Sequence, residues 1–140
     1  MIASLIVLPV PKANAQTWSA PASADRQANP NAEGSPRRAE ELYRGNCLPC
    51  HGSVGKGDGP AGAYLQPKAA DLTTPAVHAQ SDGALLWKIG KGRSPMPGFG
   101  GVLDEDELWQ LVTYLRGLAT AEAKEAIPAQ AVEPAPRTWP

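Results

Sequence analysis

The sequence contains few of the side chains that usually bind metals or form cross-links. Its 140 residues include two cysteines, two histidines and two methionines. A structural zinc ion needs four ligands, and the candidates here are Cys47, Cys50, His51 and the distant His78. Adjacent Cys50 and His51 are badly placed to converge on one small tetrahedral ion. The sequence therefore argues against a structural zinc site.

The sequence also lacks an excess of positive charge. Thirteen lysines and arginines stand against fourteen aspartates and glutamates, which gives a net charge of −1, and the basic residues form no stripe. Proteins that bind nucleic acid through its phosphates need such a basic surface. We therefore predict no nucleic-acid partner.

A long apolar run is missing from the sequence as well. The apolar stretch in residues 1–15 extends over about ten residues, which is too short to span a bilayer. It ends in Ala13-Asn14-Ala15, a small-residue pattern that suits signal-peptidase cleavage, although the usual basic n-region is absent. We interpret residues 1–15 as a signal peptide or a short N-terminal apolar segment.

Two further segments have compositions that are typical of flexible chain. Residues 16–35 are rich in small and polar side chains, with Trp18 as the exception, and are predicted to be a flexible leader. Trp18 is then either a solvent-facing aromatic or an anchor into another subunit. Residues 121–140 form an Ala/Pro-rich tail that is disordered when free or lies in a groove on a partner protein.

The most informative motif is Cys47-Leu48-Pro49-Cys50-His51. Two thiols three residues apart, followed at once by an imidazole, is the spacing that attaches haem covalently, with the histidine as an axial iron ligand. A thioredoxin-like redox pair would instead need a strand-then-helix context within a βαβ pattern, which the surrounding sequence lacks. The motif therefore predicts a covalently bound haem.

The opposite axial position needs a second ligand, and the best candidate is Met96. It lies between Pro95 and Pro97 in a glycine-rich loop, whereas a methionine that merely fills the core usually lies in an apolar periodic segment. A thioether paired with a histidine raises the reduction potential relative to two histidines. His78 is the competitor, but it lies in a polar connector and is predicted to be a surface histidine.

Local sequence signals predict three main helices. The first begins at Ser35-Pro36 and ends near Gly45, just before the cysteine motif. The second is capped by Ser81 or Asp82 and stopped by glycines. The third carries acidic residues in its first turn and an apolar face at helical spacing, made of Leu108, Leu111, Val112 and Leu115.

These motifs together resemble the class I c-type cytochromes, and most closely the small bacterial monohaem domains found as subunits or modules of oxidases and dehydrogenases. The resemblance covers about residues 37–119 and is carried by CLPCHG, GKGDGPAG, LQPKAADLT, IGKG, SPMPGFG and ELWQLVTYLRGL. It implies an all-α, class I cytochrome c fold with a cytochrome c domain over residues 36–120, in which about three main helices wrap around one covalently bound haem c.

The resemblance also implies roles for individual residues. Cys47 and Cys50 would carry the thioether bonds, with His51 as the proximal and Met96 as the distal iron ligand. Pro60 matches the family proline whose carbonyl orients the proximal imidazole. From their side-chain chemistry, Trp87 and Arg93 are candidates to contact the haem propionates, and Leu65 and Leu72 are candidates to face the haem.

The function that follows is one-electron transfer, not substrate catalysis. With both axial positions filled, no open site remains for a small-molecule substrate, and no catalytic residue is expected. The expected partners are redox proteins, including a membrane-bound or multisubunit oxidoreductase complex, in the periplasm or at the outer face of the cytoplasmic membrane. The alternative is a haem-based sensor or peroxidase-like protein with a displaceable distal ligand.

Overall fold

The computed structural model describes residues 18–32 and 35–128, and this part of the chain is helical without strands. Seven α-helices and one 3₁₀ turn follow one another. They are α1 (Ala22–Asp25), α2 (Pro36–Asn46), α3 (Leu48–His51), a 3₁₀ turn (Gly62–Tyr64), α4 (Pro75–His78), α5 (Asp82–Lys91), α6 (Glu105–Gly117) and α7 (Ala121–Glu125). The predicted all-α fold is confirmed, with α2, α5 and α6 as the three main helices.

Two of the three main helices begin with a side-chain cap. Ser81 caps α5, because its hydroxyl accepts a hydrogen bond from the Ala84 amide at 3.0 Å. Asp104 and Glu107 form a reciprocal capping box at the start of α6. Ser35 occupies the cap position of α2, but its side chain makes no capping hydrogen bond.

The hydrophobic core lies among α2, α5 and α6. Tyr43 of α2 is fully buried, and its ring lies 4.6 Å from that of Tyr114 on α6. The predicted apolar face of α6 is buried against these helices. Loops and short helices that join the main helices carry most of the candidate functional residues.

Residues 18–32 lie in the segment that we expected to be a flexible leader, yet they contact the helical domain. Asn29 donates a hydrogen bond to the Thr113 hydroxyl of α6 at 2.9 Å, and Ser81 donates one to Asp25 at 2.8 Å. At Gly83 the backbone of α5 comes so close to α1 that a Cβ atom would lie 1.8 Å from the Ala24 carbonyl oxygen. Hydrogen bonds and close backbone contact thus hold a segment whose composition offers little apolar area.

A short helix also forms at the start of the expected Ala/Pro-rich tail. Thr120 caps α7 by accepting a hydrogen bond from the Ala123 amide at 3.1 Å, and Ala123 is buried. Helix α7 packs against α4. Residues 129–140 of the tail, residues 1–17 with the proposed signal segment, and residues 33–34 lie outside the described residues.

Within residues 18–32 and 35–128, every helix is too short or too polar to cross a membrane.

Candidate functional site

The cysteine motif folds as a single helical turn directly after α2. The amide of His51 donates to the Cys47 carbonyl at 2.8 Å, so Cys47, which precedes α3, is held beside Cys50 and His51 within this helix. Gly52 then turns the chain with a φ of +82°, which favours glycine. The Tyr43 hydroxyl donates a hydrogen bond to the Gly52 carbonyl at 2.7 Å and ties this turn to α2. Cys47, Cys50 and His51 therefore line one cavity.

The two thiols are not bonded to each other. Burial, and to a smaller extent the neighbouring Cys50, raises the pKa of Cys47 to about 12. Redox-active CxxC pairs need the opposite shift, because the thiolate is the reactive form. Within the described residues no three metal-binding side chains of the His, Cys, Asp and Glu classes come together. The structure thus favours neither a dithiol redox centre nor a zinc site.

The imidazole of His51 is buried and has a fixed orientation. Its Nδ1 lies 2.9 Å from the Ala70 carbonyl oxygen. Because a carbonyl only accepts hydrogen bonds, Nδ1 carries the hydrogen and Nε2 keeps its lone pair. This is the tautomer that binds a metal through Nε2. Our expectation that the Pro60 carbonyl orients the ring is corrected, since Ala70 supplies the acceptor and Pro60 is exposed.

The Ala70–Leu72 segment is itself fixed by hydrogen bonds. The Leu72 amide donates to the Gly55 carbonyl at 2.6 Å, and the Leu72 carbonyl lies 2.8 Å from His78 Nε2. Our prediction of a surface His78 is wrong, because this side chain is fully buried. Its Nε2 donates the hydrogen bond to the Leu72 carbonyl, and its Nδ1 lies 3.4 Å from the Arg116 guanidinium. His78 is absent from the lining of the cavity and so is no candidate for the distal ligand.

Met96 lies in a tight turn that also borders the cavity. Arg93 and Met96 exchange two backbone hydrogen bonds, of 2.9 and 2.8 Å. The amide of Phe99 then donates to the Ile89 carbonyl at 3.0 Å, which attaches the loop to α5. The predicted loop sulfur and the predicted imidazole are thus brought to the same cavity.

This cavity has a volume of about 490 Å³, and most of its walls are apolar. Its apolar lining includes both residues predicted to face a haem, and side chains from α5 and α6: Leu65, Leu72, Leu85, Ile89, Leu111 and Leu115. A flat, mostly apolar group fits these walls. Two thiols, one imidazole with a free Nε2 and one thioether are also the donor set that one c-type haem needs.

Among residues 18–32 and 35–128, the charged residues of the cavity lining are Lys68, Lys88 and Arg93, without an aspartate or glutamate. Arg93, our candidate for a propionate contact, is thus one of the residues that line the cavity. Trp87 does not line the cavity, because its ring packs against Trp18 with centroids 6.4 Å apart. Trp18, which the sequence placed in a leader, lines the cavity instead.

Sequence reasoning missed Lys88, Gln80, Trp18 and Ala70 as residues of this site. Lys88 had a detectable signal, because it lies three residues after Leu85 and beside Ile89, on the face of α5 that borders the cavity. Ala70 had none, since it contributes a backbone carbonyl.

Comparison with known proteins identifies relatives of this arrangement. The family described as cytochrome c oxidase, cbb3-type, subunit III matches residues 34–115. Cytochrome c6 of Diacronema lutheri is 24% identical over 83 residues, which cover 54% of this chain and 87% of that protein.

A solved structure is also similar in fold. It belongs to the reducing HAO-like protein complex Kustc0457/Kustc0458 of Kuenenia stuttgartiensis, with a TM-score of 0.55 and 28% sequence identity. The match covers 61% of this chain and 44% of that one, so this chain spans less than half the length of that relative.

Proposed function

The chain belongs to the family described as cytochrome c oxidase, cbb3-type, subunit III, and from this we propose an exported electron-transfer protein whose haem iron is ligated by His51 and Met96. Family membership itself establishes a class I c-type cytochrome domain with covalently bound haem c and a role in electron transfer. The assignments of individual residues, ligands and cellular location are the proposal.

One observation carries the ligand assignment: His51 and Met96 line the same apolar cavity as the two thiols. The hydrogen bond to Ala70 leaves Nε2 of His51 available to iron. The thioether sulfur of Met96, which lines the same cavity, is the second ligand in this proposal, because a methionine paired with a histidine is a known axial ligand set of c-type haem. His78, the alternative, has both ring nitrogens engaged elsewhere.

Cys47 and Cys50 supply the covalent attachment in this proposal. Each Sγ–H adds across one vinyl group, so that sulfur bonds to one carbon and the hydrogen to the other, and no oxidant is consumed. The separation of Cys47 and Cys50 by two residues within one helical turn places both sulfurs at one edge of the cavity.

When bound, the haem would supply a one-electron redox centre for electrons that come from one redox partner and pass to another. The protein's residues set how readily this happens. A thioether ligand and apolar walls favour the reduced form, because both avoid adding negative charge or water near the iron. In the part of the chain that the structure describes, no carboxylate lines the cavity to serve as an acid or base in peroxide chemistry. These features support an electron carrier over a peroxidase-like enzyme.

The partners in this proposal are other redox proteins. The similar solved chain comes from a multi-protein complex, and the family name refers to a subunit of an oxidase. We therefore place this domain as a carrier, or as the cytochrome subunit of a larger redox complex, in the periplasm or at the outer face of the cytoplasmic membrane. Attachment of haem c outside the cytoplasm in bacteria is the reason for this location.

Replacement of Met96 by leucine tests the ligand assignment. Met96→Leu should abolish the weak red absorption band of iron–methionine ligation, lower the midpoint potential and allow the reduced protein to bind carbon monoxide. Val102→Leu is the control, since Val102 is exposed and absent from the cavity lining. An unchanged spectrum and potential in Met96→Leu would refute the ligand assignment. Rapid carbon monoxide binding by the wild-type protein would instead support the sensor or peroxidase-like alternative.

A further inference from the structure

Lys88 is a half-buried cation that the proposed electron-transfer site does not yet use. It lies on α5, and its side chain borders the cavity together with Leu85 and Ile89. Its ammonium group is hydrogen-bonded to the side-chain oxygen of Gln80 and lies 5.4 Å from the centre of the Trp18 ring. Gln80 and Trp18 border the same cavity. The three side chains therefore form one corner of it.

This corner carries positive charge without a matching carboxylate. Among the described residues, no aspartate or glutamate lies within ion-pair distance of Lys88. The charged groups that act on it are Asp25 of α1, whose carboxylate is bonded to Ser81, and Arg93 of the Met96 turn. Burial lowers the pKa of Lys88, Asp25 opposes this shift, and Arg93 adds to it.

A partly buried ammonium with only an amide partner is costly unless an anion completes its surroundings. The other charged residues of the cavity lining, Lys68 and Arg93, are cations too. The cavity thus offers its ligand positive charge alone. A c-type haem brings anionic groups, since each of its two propionate side chains ends in a carboxylate.

We propose that Lys88 binds a haem carboxylate, with Gln80 orienting its ammonium group and Trp18 covering the contact. Lys88 takes the role that the sequence suggested for Trp87, which packs against Trp18 away from the cavity lining. Lys88 is a stronger candidate than Arg93 because it is half-buried, whereas Arg93 is exposed. A charge-assisted hydrogen bond gains most where water is partly excluded.

Residues 18–32 would then contribute to the haem site through Trp18. Trp18 is held over Lys88 by a segment that hydrogen bonds to α5 and α6. The indole face attracts the ammonium group and shields its contact from solvent.

The test compares Lys88→Met with Lys91→Met in the full-length haem protein. Lys91 lies on the same helix but is exposed and absent from the cavity lining, so it controls for loss of one charge. The readout is the midpoint potential measured across a range of pH. Steps in this curve report the titration of groups near the iron. An opposite charge within contact distance lowers the pKa of a carboxylic acid by about one to three units.

Lys88→Met should therefore move the carboxylate step of this profile to higher pH by about one unit or more. Lys91→Met should leave the step in place, and Lys88→Arg should restore it. If Lys88→Met and Lys91→Met give superimposable profiles, the inference is overturned.

A second pair of variants covers the case in which Lys88→Met does not yield folded protein. Lys88→Gln keeps a polar side chain, which is shorter than lysine and uncharged, and Gln80→Leu removes only the orienting amide. Both should shift the step in the same direction, Gln80→Leu by less, and unchanged profiles in both would contradict the inference.

The inference rests on the haem of the proposed function, but the two fail differently. A wild-type protein without covalently bound haem, or without iron–methionine absorption, contradicts the proposed site. A wild-type protein with both, whose pH profile ignores Lys88, contradicts only the carboxylate contact.

Discussion

The Nδ1 atom of His51 donates a hydrogen bond to the Ala70 carbonyl, 19 residues further along the chain and 2.9 Å away. This contact fixes the plane and the tautomer of the imidazole, and its acceptor belongs to a loop that other backbone contacts hold in place. The Leu72 amide binds the Gly55 carbonyl at 2.6 Å. Orientation of the proposed proximal ligand therefore depends on a glycine that never touches it.

We expect Gly55→Ala to destabilise the protein. Gly55 has a φ of +80°, and a Cβ atom there would lie 2.8 Å from a methyl carbon of Leu118. A non-glycine residue in this region of φ costs about 1–2 kcal/mol, before any displacement of Leu118. Denaturant titration of the haem protein measures the loss.

Gly45→Ala is the matched control for this substitution. Gly45 lies in α2, and a Cβ atom there has no neighbour within 4 Å. Its stability should stay the same or rise by less than about 1 kcal/mol. Equal stabilities of the two variants would show that the Gly55 turn does not brace the Ala70 loop.

The buried ion pair between Arg116 and Asp82 should matter far more than a surface pair. Arg116 lies 2.7 Å from the Asp82 carboxylate and also donates to the carbonyls of His78 and Gln80, at 2.9 and 2.6 Å. Arg116→Met would leave the Asp82 carboxylate, which is 8% exposed, without its cation. We expect a loss of about 3 kcal/mol in the free energy of unfolding.

The control for this prediction is Arg44→Met. Arg44 pairs with Glu40 at 3.3 Å on the exposed side of α2, where an i, i+4 pair is worth about 0.5 kcal/mol or less. Similar losses for the two variants, by thermal or denaturant unfolding, would contradict the prediction.

His78 should make the protein less stable in mildly acidic solution. Burial lowers the pKa of His78 from its ordinary value of 6.5, and the nearby Arg116 lowers it further, against the raising effect of the hydrogen bond to Leu72. The unfolded chain therefore takes up a proton more readily than the folded one. Stability is full above pH 6.5 and falls as the pH drops from there towards the lower folded pKa.

The slope attributable to His78 is at most about 1.4 kcal/mol per pH unit. Unfolding midpoints measured across this range in wild type and in His78→Gln check it. The variant should show a shallower loss, because glutamine can donate to the Leu72 carbonyl without titrating. Parallel curves would assign the acid sensitivity to other groups.

Removal of the haem should unfold most of the chain. The cavity of about 490 Å³ is walled by core residues of α5 and α6. Without haem, the apolar side chains that wall the cavity lose their contacts and face water, which removes a large part of the apolar burial that stabilises a small domain. Far-ultraviolet circular dichroism of a Cys47→Ala, Cys50→Ala protein made without haem measures this. Native-like helical content there would contradict the prediction.

Local patterns predicted those parts of the site that are written in consecutive residues. The CxxCH spacing, the proline-flanked Met96 and the apolar face of α6 each need only a short stretch of sequence to be read. The fold class, which the family resemblance implied, and the haem, which the CxxCH motif predicted, are confirmed.

Contacts between distant segments escaped this reasoning. The burial of His78 depends on Arg116, 38 residues away, because the guanidinium is a hydrogen-bond partner for both the ring and the carbonyl of His78. The acceptor for His51 is a main-chain oxygen, which has no side-chain signature. Trp18 lines the cavity because Asn29 and Asp25 bind α6 and α5, and the composition of a polar segment does not reveal such partners.

The close approach of α1 to Gly83 makes the N-terminal segment dependent on a single missing methyl group. Any side chain at this position would meet the Ala24 carbonyl and act as a wedge between α1 and α5. If α1 were displaced in this way, the indole of Trp18 would move away from the cavity that it lines. The absence of a side chain at Gly83, in the first turn of α5, thus keeps water away from the part of the cavity that Trp18 borders.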